Sequence, residues 1–347
     1  MHTNPVLRRA ALLMAGVLSV ATLAACGTDN GDEKSEGATK AEATDQFPIT
    51  MENAYGTTTI KEEPKRVATW GWGSTEAAIS VGVYPVAVAE QVWTVGAGNL
   101  LPWVEEAYDE AGVEHPAVLS DAEGGATIVY DEFIAADPDL IVAPYSGLTE
   151  EQYKTLSDIA PVVAFPDAPW TTSWDDTITL TAQALGRSAG GEKVLAEIDE
   201  SLAAAAADHP EFAGKTIAGL WPGESAISVY TGLDPRVGIL TKLGFEVDPS
   251  VAKLDTSDGG FYFDMSFEKA DEIAADVAVT YHDSQESADA MLTDKKFTAV
   301  PAIGAGRVAQ VVGNVNVSAV SPPTALSFTW EQGMPALVEM LAAAVAK

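Results

Sequence analysis

The chain begins polar, reaches Arg8-Arg9, and then runs apolar and uncharged through residues 10–25, AALLMAGVLSVATLAA. A cationic start followed by such a run is the pattern of a secretory signal, and the run is short for a spanning helix, which needs roughly 20 residues. Residues 27–46, GTDNGDEKSEGATKAEATDQ, hold no large apolar side chain. They bury too little surface to offset their ordering entropy and read as a disordered tether. From residue 47 onward, short apolar segments alternate with amphipathic ones.

The segments around Tyr55-Gly56 alternate like a β-hairpin. Residues 66–70 read as a strand, GSTEAAISVG as a helix with Ser74 as N-cap, and VYPVAVA as the next strand. A strand, a helix and a strand at this spacing make a βα unit of a parallel sheet. The segments LPWVEEAYDEAG, YDEFIAADPDLIVAPY and TEEQYKTLSDIAPVVAF continue the order, ending a first lobe, 47–172. Residues 173–208 offer helix without an intervening strand, interrupted around Gly186 and at Gly190-Gly191, with helix-favouring LAAAAA near the end. They predict a stiff connector. A second lobe, 209–347, follows with strands in KTIAGLWPG, SAISVYTG and GRVAQVVG, a helix in DPRVGILTKLG, and a helix then a strand in FEKADEIAADVAVTYH. The last segment, SPPTALSFTWEQGMPALVEMLAAAVAK, reads as largely helical, interrupted at Pro335.

The lobes share a phrase. YDEFIAADPDLIVAPY matches SFEKADEIAADVAVTYH, with Glu132 at the place of Glu268, Asp139 of Asp276 and Tyr145 of Tyr281. Such self-similarity points to an internal pseudo-repeat.

Charge removes whole classes of function. The chain has 51 acidic and 19 basic residues, a net charge of −32. Loss of the first 25 residues removes Arg8 and Arg9 but no acid, so the mature chain is more acidic still. Nucleic acid as a partner is excluded, since phosphate binding needs a basic face, and an anionic membrane surface is equally unattractive. The four histidines, His2, His115, His209 and His282, are widely separated, which argues against direct capture of a free metal ion. No Gly-x-Ser-x-Gly elbow, phosphate-cradling glycine loop or His-Glu-x-x-His is present, and in GWGST Trp72 stands where a nucleophilic serine would be. No catalytic residue is expected, and an enzyme is the remote alternative. The one cysteine, Cys26, follows Leu23-Ala24-Ala25. This run resembles the lipobox of bacterial lipoproteins, which implies a signal peptide over 1–25, lipidation of Cys26 and a tether over 26–46. The membrane is then touched only through the lipid, on the extracytoplasmic side.

The ordered series EEPKRVATWGWGSTEAAISVGVYPVAVA, EFIAADPDLIVA, LSDIAPVVAF, RVGILTKLGFEV, SFEKADEIAADVAV and FTAVPAIGAGRVAQV resembles the iron-siderophore and cobalamin binding family of ABC importer lipoproteins. That resemblance covers roughly residues 47–345. It implies an α/β fold of two parallel-sheet lobes joined by a long helix, with a ligand cleft between them. It also implies a monomer without resident cofactor or metal, which captures a ferric siderophore and delivers it to ABC permease subunits. Haem or cobalamin is the alternative cargo, with a tyrosine or His282 as axial ligand.

In open α/β lobes, ligands lie beyond the carboxyl ends of the strands. The loops there offer Trp72, Trp93 and Tyr145, and the segment PDAPWTTSW adds Trp170 and Trp174. Aromatic faces suit a large ligand with an apolar shell, although each tryptophan also reads as lobe packing. From the second lobe come Tyr230, Arg236, Tyr281 and His282. Arg236 suits the oxygens around ferric iron, or it is a helix-surface arginine paired with Asp234. Trp330 reads as packing on the terminal helix. The resemblance assigns Glu132 and Glu268 to permease docking, exposed and remote from the ligand. Each is equally explained as an acid favoured near a helix N-terminus.

Overall fold

A computed structural model describes residues 42–91 and 100–347; Cys26 and Trp93 lie outside the described residues. All the described residues belong to one compact unit, Glu36–Lys347. The hairpin expected at Tyr55-Gly56 forms from β1 (Ile49–Asn53) and β2 (Gly56–Ile60), with Asn53 opposite Gly56. Its Ile49, Met51 and Ile60 pack into a core with Val67, Leu140 and Val142.

The short apolar runs become β3 (Val67–Thr69), β4 (Ala87–Ala89), β5 (Ala117–Leu119), β6 (Leu140–Ala143) and β7 (Val162–Ala164). They form a sheet in the order β5-β4-β3-β6-β7, parallel throughout. Strands covered on both faces are buried without alternation, as β3, β4, β6 and β7 are, with Thr69 their one polar residue.

The second sheet contains β8 (Thr216–Pro222), β9 (Ile227–Tyr230), β10 (Glu246–Val247), β11 (Tyr262–Met265), β12 (Val277–His282) and β13 (Val308–Val312). Its order is β11-β9-β8-β12-β13, with β10 also on β8. Strands β10 and β12 run parallel to β8, and β13 parallel to β12, but β9 is antiparallel to β8 and β11 to β9. The cause is connection length. Residues 223–226 alone separate β8 from β9, closed by Gly223 N–H donating to Ala226 O at 3.0 Å. A parallel crossover needs a dozen residues or more.

Three local expectations change. The helix Ser74–Ser80 is capped by Gly73 at φ 78°, and Ser74 is its first residue, with its hydroxyl turned back to Trp70 O at 3.4 Å. The connector breaks once, at Gly186 (φ 70°), between helices Trp174–Ala184 and Ser188–Asp208. Gly190 and Gly191 lie within the second helix. A Cβ on Gly191 would sit 2.6 Å from that of Ala182, so this glycine allows the two helices to approach closely. Near the C-terminus, Pro335 lies in the first turn of the helix Met334–Val345 and does not interrupt one, a position where its missing N–H breaks no helical hydrogen bond.

The repeated phrase does the same work in both sheets. Asp139, just before β6, accepts the backbone N–H groups of Lys65 (2.7 Å) and Arg66 (2.9 Å) at the entry to β3. Asp276, just before β12, accepts Thr216 N–H (3.0 Å) at the entry to β8. Each acid thus ties the start of one central strand to the next. The backbone bond from Thr216 contributes to holding the Asp276 carboxyl below the ordinary aspartate value.

Candidate ligand-binding cleft

Between β3 and its helix the chain turns through Gly71 (φ 82°), Trp72 and Gly73. Trp72 is buried, its backbone N–H donates to Tyr145 O (3.1 Å), and its indole Nε1 donates to Pro322 O (3.1 Å). Tyr145 follows β6 and meets Trp170 edge to face, ring centroids 5.4 Å apart. Trp170 is 43% exposed, has φ 60°, and anchors its N–H on Ser146 O. Its indole lies over Gly147, where a Cβ would come within 2.5 Å of Nε1. The glycine there is the condition for the aromatic wall. Trp174 begins the connector helix and packs on Phe328 at 4.9 Å.

The opposite wall comes from the loop after β9 and from residues 259–261. Thr231 joins them, its N–H on Phe261 O and its hydroxyl on Gly260 O, both at 2.9 Å. Leu233, 68% exposed, and Phe261, 53% exposed, stand at the mouth. Asp234 caps the helix Pro235–Lys242 by accepting Arg236 N–H. The same carboxylate receives the arginine side chain bidentately, Nε on Oδ1 at 2.7 Å and Nη2 on Oδ2 at 2.6 Å. Nη1 donates to Ser321 Oγ at 2.7 Å, and the guanidinium carbon lies 3.7 Å from the Tyr230 ring centroid. Burial alone would lower the Arg236 pKa, but the hydrogen-bonded Asp234 more than offsets this and raises it above the ordinary value. Residues 322–325 form the floor, and the whole encloses about 460 Å³. Burial pushes the Tyr145 phenol up, so it stays protonated and able to donate a hydrogen bond.

Of the sequence candidates, Trp72, Tyr145, Trp170 and Arg236 line this cleft, together with Trp174. Tyr230 lies beneath the guanidinium and does not line it. Tyr281 is also absent from the lining. It is 2% exposed, stacked with Trp221 and edge-on to Tyr230. The reason lies in strand length: β6 ends at Ala143, leaving Tyr145 in a loop, whereas β12 continues to His282 and keeps Tyr281 inside the sheet. His282 is 1% exposed, with Nδ1 3.2 Å from Ser287 Oγ and Nε2 3.0 Å from Thr280 Oγ1. Both nitrogens are engaged and burial lowers its pKa, so it is no cleft ligand. Trp330 packs against Trp103 at 5.0 Å.

Glu132 and Glu268 are both outside the cleft. Glu268 is exposed on the short 3₁₀ helix Phe267–Glu272. Glu132 differs from the expected free acid: it is half-buried and accepts both Ser120 N–H (2.6 Å) and Ser120 Oγ–H (2.7 Å). Sequence reasoning missed Leu233, Phe261 and the 322–325 floor. The first two lie in irregular loops without periodicity, and the floor returns from far along the chain.

A family model described as periplasmic binding protein matches residues 67–312. A curated relative, the probable siderophore-binding lipoprotein YfiY of Bacillus subtilis, is 27% identical over 239 residues. That match covers 68% of this chain and 66% of YfiY, just under two thirds of the relative's length. Among solved structures, PiaA of Streptococcus pneumoniae in complex with ferrichrome is similar with a TM-score of 0.74 and 30% identity, over 86% of this chain and 99% of that one. A periplasmic solute binding protein of Mycobacterium smegmatis gives 0.70 and 26%, over 86% and 97%.

Proposed function

Because the chain belongs to the periplasmic binding protein family, we propose that it is an extracytoplasmic lipoprotein that captures a ferric siderophore and delivers it to an ABC permease for iron uptake. The observation that carries this reading is the cleft: aromatic and aliphatic faces from both walls converge on a cavity of about 460 Å³ that holds a single paired arginine. Such a lining binds a bulky ligand by area and orients it with few polar groups. The ferrichrome in the PiaA complex and the siderophore-binding designation of YfiY support the same cargo class. With His282 sealed in the sheet, haem loses its expected histidine. The reading is tested by titrating the purified protein with ferric hydroxamates, ferric catecholates, ferric citrate, haem and cobalamin while following tryptophan fluorescence. A ferric siderophore is expected to quench stoichiometrically, since Trp72, Trp170 and Trp174 line the cleft, and to be recovered unaltered. Capture of haem or cobalamin alone would replace the siderophore reading.

Anchoring through a lipid on Cys26 completes the reading, and Cys26→Ser should release the chain from the membrane fraction. Delivery uses Glu132 and Glu268, both remote from the cleft, against cations of the permease. The double change Glu132→Lys and Glu268→Lys should leave ligand affinity within about twofold, because neither side chain reaches the cleft, yet abolish cellular uptake of labelled ferric ligand. Glu132→Gln serves as the control. It removes the charge while retaining an acceptor for Ser120, and so separates docking from the local bonds. Full uptake in the charge-reversed double variant would remove the docking role.

A further inference from the structure

We propose that this cleft selects electroneutral ferric complexes, and that Asp234 sets the selection by cancelling the charge of Arg236 inside the site. The inference rests on the siderophore reading above and adds to it the charge class of the cargo. Asp234 and Arg236 are the only charged side chains lining the cleft among the described residues. They face each other in a bidentate pair, and Asp234 is 1% exposed, so the compensation is built in and not supplied by solvent. Residues 92–99, VWTVGAGN, carry no charged side chain, so this stretch of sequence adds nothing to the count.

The pairing leaves donors without leaving charge. A guanidinium carries five N–H groups. One is spent on Ser321 and two on Asp234. The remainder can donate to carbonyl or hydroxamate oxygens on a ligand, while the site as a whole offers no net positive charge. Three singly charged hydroxamates cancel the charge of ferric iron, whereas three doubly charged catecholates leave a trianion. A trianion entering this cleft sheds its hydration against aromatic rings and prolines with no net countercharge to replace it, which is costly. It also approaches a chain of net charge −32. A neutral complex meets neither obstacle.

The test uses ferrichrome as the neutral ferric trishydroxamate and ferric enterobactin as the tris-catecholate trianion, titrated into the purified protein. The wild-type chain should bind the neutral complex about a hundredfold more tightly. Asp234→Asn retains an effective N-cap while freeing the guanidinium charge, and should narrow that ratio about tenfold or more through a gain for the trianion. The double variant Asp234→Asn with Arg236→Gln, neutral again, should restore the wild-type preference even where its overall affinity falls. It also carries the test should Asp234→Asn fold poorly by thermal melting. Wild-type protein that binds both complexes equally, or a double variant that prefers the trianion, overturns the selection while leaving siderophore capture intact. If no ferric complex of either charge binds, siderophore capture fails and the selection with it.

Discussion

Replacing Arg236 with alanine is expected to cost about 3–5 kcal/mol of stability, well beyond the usual effect of removing a side chain beside a cleft. The reason is what the change leaves behind. Asp234 is 1% exposed and its two oxygens receive the guanidinium at 2.7 and 2.6 Å. Without it, a buried carboxylate keeps a single backbone N–H, that of residue 236, as its recorded partner, and an uncompensated buried charge is among the costliest defects a fold can carry. The stacking of the guanidinium on Tyr230 at 3.7 Å is lost as well, worth about 0.5–2 kcal/mol when desolvated. Denaturant unfolding measures the loss. A second change, Asp234→Asn, should recover much of it by removing the stranded charge, but should not restore ligand affinity. The wild-type stability retained in Arg236→Ala alone would mean that Asp234 is solvated and that the pair is dispensable.

The second large effect is expected from Gly71→Ala. Gly71 has φ 82°, where an L-residue costs about 1–2 kcal/mol. The added Cβ would also sit 2.3 Å from Tyr145 O and 2.9 Å from Ser146 Cβ. The oxygen is backbone and has no rotamer in which to retreat. It also accepts the N–H of Trp72, so relief of the clash pushes apart the two loops that form the aromatic wall. Overpacking of this kind adds about 1–3 kcal/mol, for a total of about 2–5. Gly112→Ala is the matched control: its φ is 65°, but nothing lies within 4 Å of the new Cβ. It should lose stability from backbone strain alone and bind ligand like the parent, whereas Gly71→Ala should lose both stability and binding. Equal losses in the two variants would show that the close approach of the loops is unimportant.

The order of strands and helices was legible because local physics makes it so. Apolar runs without alternation, acids and prolines at helix starts, and glycines after helix ends all act within a few residues. The antiparallel β9 was legible too, had the connection 223–226 been measured against the length a crossover requires. The strand-end rule brought Trp72, Tyr145, Trp170 and Arg236 to the cleft. Arg236 is paired with Asp234, and the same side chain also lines the cavity.

By itself the sequence determined the α/β class, the strong negative charge, the repeated phrase that matches Asp139 with Asp276, and the aromatic character of the strand-end loops. These depend on composition and on neighbours close along the chain. The tertiary structure alone decided that Tyr281 and His282 are walled into β12 while Tyr145 is left outside β6, because that outcome turns on how far two sheets extend. It also decided that Glu132 is held by Ser120, and that Pro322, 250 residues from Trp72, receives the indole N–H and forms the cleft floor. Contacts of that separation carry no local signature, since their energy is realised only after both lobes and the connector have folded.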